Sequence, residues 1–84
     1  MNATLKAQIY NLYQALVIKS ENKENLLASA TAAKMVGFIK WIASSKTRGE
    51  LKNKMNQVIN HLKKYRNTEA KELSSKLTVL YGLV

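Results

Sequence analysis

No proline interrupts this 84-residue chain, and no alternation of apolar and polar residues marks a strand, so the 3.6-residue period is its one strong pattern. That restricts the fold to packed helices. The spacing predicts helices over about 3–18, 23–45, 48–66 and 69–81, joined by short connections that favour oppositely directed neighbours. The expected fold class is therefore all-α, a small antiparallel four-helix bundle. A chain of this length buries only about 60% of the surface its unfolded form exposes, so residues 1–84 read as a single helical domain.

Within the first helix, capped by Asn2, Leu5, Ile9, Leu12, Tyr13 and Leu16 share a face that Tyr10 and Val17 widen. Ser20 or Asn22 is expected to cap the second helix, whose apolar arc holds Leu27, Ala28, Met35, Phe38, Ile39 and Ile42. A break near 29–31 is the alternative to one continuous helix. Its back carries Ala30, Ala33, Gly37, Lys40 and Ser44, a mostly small row that reads as a close-packing surface, within the bundle or across a homodimer. Thr47-Arg48-Gly49-Glu50 fits a capping box, with Thr at the cap and Glu three residues on. Behind it Leu51, Met55, Val58, Leu62 and Tyr65 recur at helical spacing. Asn67 or Thr68 caps the last helix, Leu73, Leu77 and Leu80 point inward, and Gly82 is the expected residue just past its end.

Fourteen Lys and Arg against five acids give a formal charge of +9, a field that draws polyanions: nucleic acid, an acidic protein or an anionic membrane surface. A base composition that favours Lys and Asn codons is the plainer source of the same counts. The absence of cysteine excludes a disulfide framework and points to a reducing, cytoplasmic setting. Residues 1–20 lack the unbroken apolar core of a secretory signal. The nearest approach to a membrane span, residues 26–44, contains Lys34 and Lys40, each costing roughly 2.5–3.5 kcal/mol near a bilayer centre, so the chain reads as soluble.

Catalysis finds no footing in the sequence. Glu50 belongs to the capping box, and Glu21, Glu24, Glu69 and Glu72 fall near expected helix starts, where the helix dipole favours them. His61 is the one histidine, without cysteine or aspartate companions for a metal and without an orienting carboxylate for base catalysis. No glycine-rich phosphate loop is present. The expectation is a non-enzyme with no cofactor and no metal.

Two surfaces remain as candidates. The exposed side of the third helix reads Lys52, Asn53, Asn56, Asn60, Lys63 and Lys64, with Arg48 and Arg66 at its ends. Lys pairs with phosphates and Asn with adenine edges, so this face suits nucleic acid held mainly by its backbone; Arg, the usual guanine reader, is scarce. A merely solvated face has the same appearance. The second surface combines Phe38 and Trp41 with Lys34 and Lys40, a mixture that suits a protein partner or an anionic membrane surface. Against it stands simple core packing of Phe38, with Trp41 at the core's edge. Tyr10, Tyr13, Tyr65 and Tyr81 have faces able to stack on bases, though each falls on or beside an apolar stripe. A helix-turn-helix laid over Ala33 and Gly37 would put Phe38 and Ile39 where its turn needs polar groups.

Ile9-Tyr10-Asn11-Leu12-Tyr13, followed by Met35-Val36-Gly37-Phe38-Ile39-Lys40-Trp41, resembles the helices of pediocin-like bacteriocin immunity proteins over about half the chain. The resemblance implies a small basic cytosolic four-helix bundle that acts at a membrane transporter. It motivates the alternative reading: an immunity-like, antitoxin or phage-accessory protein that blocks a protein partner or works at the membrane surface.

Overall fold

A computed structural model describes residues 3–84 as four helices: α1 Ala3–Ser20, α2 Leu26–Ala43, α3 Arg48–Leu62 and α4 Thr68–Tyr81. No strand occurs among the described residues, and the chain is an all-α four-helix bundle. Asn2, the expected first cap, lies outside the described residues.

Asx and Thr side chains set where three of the helices begin. Asn25, Thr47 and Asn67 each accept a hydrogen bond, at 3.1 Å, from the backbone N–H three residues on: Ala28, Glu50 and Ala70. Each thereby satisfies one of the donors that a helix start leaves free. The cap of α2 is thus Asn25, not Ser20 or Asn22. Asn22 instead accepts from the Glu24 N–H at 2.9 Å, holding the connection in a turn that postpones the helix. In consequence α2 starts three residues later than the period suggested, and Glu21 and Glu24 precede it instead of occupying its first turn. Its other end stops at Ala43, where the Ser44 and Ser45 hydroxyls fold back on the Trp41 and Ile42 carbonyls. The expected break near 29–31 does not occur: Thr31 donates its hydroxyl to the Leu27 carbonyl without interrupting the helix.

α3 ends at Leu62, four residues before Arg66, because the Lys64 and Tyr65 N–H groups tighten onto the His61 and Leu62 carbonyls. Gly82 closes α4 in right-handed geometry, φ −65° and ψ −19°, so the left-handed cap expected of it is not used. The last N–H groups turn inward on the Leu80 and Tyr81 carbonyls instead.

The core draws on all four helices: Leu5, Ile9 and Leu16; Ala32, Met35, Ile39 and Ile42; Leu51, Met55, Val58, Ile59 and Leu62; Ala70, Leu73, Leu77 and Leu80. Among the described residues no polar or charged side chain is buried. α1 lies along α2, with the Ser29 hydroxyl bonded to the Ser20 carbonyl near one end and the Lys40 ammonium 6.0 Å from the Tyr13 ring farther along. α4 lies along α3, Lys52 standing 5.2 Å from the Tyr81 ring. Lys19 and Glu72, 3.4 Å apart, tie α1 to α4.

Two expected inward residues and one expected packing row face solvent. Tyr10 is 59% exposed, its hydroxyl accepting from the Gln14 amide at 2.6 Å. Leu27 is 80% exposed, because α4 reaches α2 only one turn higher, where Asn67 donates to the Thr31 hydroxyl. The row Ala30, Ala33, Gly37 and Ser44 is exposed throughout, and of its members Ser44 meets another helix, through the Lys54 ammonium of α3. No described heavy atom outside its own stretch of chain lies within 4 Å of a Cβ built on Gly37.

Candidate nucleic-acid interface

Helical periodicity puts Leu51, Met55, Val58 and Leu62 under α3 and leaves Lys52, Asn53, Asn56 and Asn60 outside; all four of the latter are exposed. Lys63 caps the helix, whereas Lys64 and Arg66 belong to the connection leading into α4. The expected stripe is therefore divided. At one end Arg48 donates to the Val84 backbone oxygen at 2.6 Å and Lys52 lies over Tyr81, so both cations lean on the end of α4. At the other end stand Lys63, Lys64 and Arg66, all exposed. About 16 Å of helix axis separates Lys52 from Lys63, spanned by the three asparagines.

Lys34 joins the second cluster. Its ammonium is 5.5 Å from the ring of Tyr65, which sits in sequence between Lys64 and Arg66. The fold thus adds an α2 cation to the α3–α4 end, a convergence that single-helix periodicity cannot reveal. Acids are drawn elsewhere. Glu69 and Glu72 line the α1–α4 seam beside Lys19 and Lys76, and Glu50 turns toward α2. The two ion pairs among the described residues, Lys19–Glu72 and Lys54–Glu50, involve none of the eight residues of the expected stripe.

Lys54 is the polar side chain that sequence reasoning passed over. Its side chain is only 14% exposed, and its ammonium lies 2.9 Å from Glu50, 3.0 Å from the Ser44 hydroxyl and 3.3 Å from the Trp41 carbonyl. The same ammonium is 5.2 Å from the Trp41 ring. A cation from α3 thus occupies the negative end of the α2 dipole. The sequence signal was the Glu50–Lys54 pair at i,i+4, the favourable order on a helix. Hydrogen bonding from Lys54, then from the Lys46 N–H, holds the Glu50 carboxyl below its usual value against the opposing desolvation, with both lysine charges adding to the lowering. The capping box is accordingly displaced by one residue: Thr47 receives the Glu50 N–H as expected, but Glu50 accepts from Lys46 at 3.3 Å.

The second expected patch does not gather on one face. Phe38 is partly buried, its ring edge-on to His61 at 5.2 Å; Trp41 is 42% exposed beneath Lys54. Lys34 leans toward Tyr65 in the α3–α4 connection and Lys40 toward α1, on opposite flanks of α2. His61 is exposed between Phe38 and Tyr65, its Nε2 3.3 Å from the Tyr65 hydroxyl. No group of three potential metal ligands occurs among the described residues. By length and composition α2 is the one described helix able to cross a membrane.

In comparisons with known proteins the chain matches no family model, no curated protein and no solved structure.

Proposed function

We propose that this chain is a non-enzymatic cytoplasmic binding module that holds nucleic acid through the α3–α4 face, chiefly by phosphate contacts. The observation that carries the reading is the convergence of Lys34, Lys63, Lys64 and Arg66 on one end, with the nearest acids turned into other seams. Exposed ammonium and guanidinium groups release counterions when they meet phosphates, and that release drives sequence-independent binding. Asn53, Asn56 and Asn60 form a neutral, hydrogen-bonding ridge between the two cationic ends. With Arg scarce, base discrimination is expected to be weak.

Gel-shift titration of duplex DNA, single-stranded DNA and RNA tests this at low ionic strength. Contact with three or four phosphates gives a slope of roughly −3 to −4 in log affinity against log salt on a duplex. Joint Lys63→Glu and Lys64→Glu substitution is expected to weaken binding more than about tenfold while circular dichroism stays unchanged. Failure to shift any of the three at roughly tens of micromolar in low salt would refute the reading, since non-specific binders reach that range even at physiological salt.

A further inference from the structure

α2 is apolar on its outside as well as its inside. Only 22% of its residues are buried, the four that enter the core, although the helix is apolar enough to span a membrane. Its outward strip runs from Leu26, 75% exposed, past Ala33 and Gly37 to Trp41. Fifteen residues of helix make that strip about 22 Å long. Beside it, between α1 and α2, lies an open groove of about 490 Å³ with a predominantly apolar lining that includes Tyr10, Tyr13 and Ile39. Lys6 and Lys40 also line this groove.

Charge decides which occupant suits this surface. Neither α1 nor α2 contains an acid; between Glu24 and Glu50 the chain carries Lys34, Lys40, Lys46 and Arg48 and no negative side chain. In a symmetric contact with a second copy, those lysines would confront one another with no carboxylate on either helix to answer them. An anionic lipid surface offers what a second copy lacks: headgroup phosphates for the flanking ammonium groups and an acyl boundary for Leu26, Trp41 and Tyr10. Burial of the inward face in the bundle leaves α2 lying along such a surface, not threading it. We infer that the outer strip of α2, with the α1–α2 groove, docks on an anionic phospholipid surface. This is a second surface, distinct from the α3–α4 face in its apolar strip and in Lys6 and Lys40, with Lys34 standing at the border of the two.

Trp41 is the single tryptophan, so its emission reports the contact directly. The intact protein is titrated with vesicles of equimolar phosphatidylglycerol and phosphatidylcholine, and with pure phosphatidylcholine vesicles. A blue shift and co-sedimentation are expected with the first and not with the second. Gly37 has open space beyond its Cα, so Gly37→Glu and Gly37→Gln both fold. The Glu variant is expected to bind the mixed vesicles roughly tenfold more weakly, the Gln variant to retain binding, and both to keep nucleic-acid retention unchanged. No blue shift, or equal vesicle binding by Gly37→Glu and the parent chain, overturns the inference. So does a lipid-free dimer on sizing that Gly37→Glu dissociates, since the strip then belongs to a second copy.

Discussion

Lys54 couples two segments of chain through one ammonium: the first turn of α3 and the last turn of α2, where it meets both the carbonyl and the indole ring of Trp41. Charge-assisted hydrogen bonds of this partly sheltered kind exceed exposed pairs in strength. Replacing it by methionine, which retains most of the stem, is expected to cost about 1–2 kcal/mol in urea unfolding. The Glu50 carboxyl titrates lower folded than unfolded, so its contribution is complete above the ordinary value of 4.5 and is lost as pH falls through the folded value. Stability should therefore decline on acidification below about 4.5, and Glu50→Gln should flatten that part of the profile. Thr47, Glu50 and the i,i+4 lysine were readable from sequence, because each depends on neighbours within one or two turns. The reach of Lys54 to Trp41 was not, since nothing local tells a lysine which helix end lies opposite.

Periodicity located every helix, but it measures repetition and not partnership. α3 and α4 are apolar on one side, and their inward residues were legible. α2 is apolar on two sides, so Leu27 was assigned to the core and the small row to a packing contact within the bundle or across a homodimer; within the bundle Leu27 and most of the row lie open because α1, α3 and α4 cover a single arc. Gly37 consequently carries the entropic cost of glycine in a helix without a packing return. Gly37→Ala should raise stability by about 0.5–1 kcal/mol, measured by thermal or urea unfolding. Asn67 both caps α4 and reaches Thr31, whereas exposed Asn25 makes the capping bond alone. Asn67→Ala is expected to cost about 1–2 kcal/mol and Asn25→Ala nearer 0.5–1 kcal/mol.

A charge of +9 on a body 38 × 24 × 17 Å sets the molecule against itself. Two exposed or partly exposed ion pairs offset little of that repulsion. Adding sodium chloride should therefore raise the urea midpoint, while nucleic-acid affinity falls over the same range. Opposite responses to one salt titration separate lost binding from lost folding. At this scale the sequence disclosed the excess of cations and the α3 stripe; its division into two cationic ends and the convergence of Lys34 with the α3–α4 turn required the fold. Among the described residues no backbone angle enters the left-handed region, and no peptide is cis. No described position thus needs glycine for a left-handed φ or proline for a cis bond, and the one tight glycine is Gly82, where a Cβ would stand 3.3 Å from the Val79 carbonyl oxygen. In saturation mutagenesis, with proline and glycine replacements inside the helices and the capping residues Asn25, Thr47 and Asn67 set aside, intolerance at an exposed position would be a footprint of the ligand.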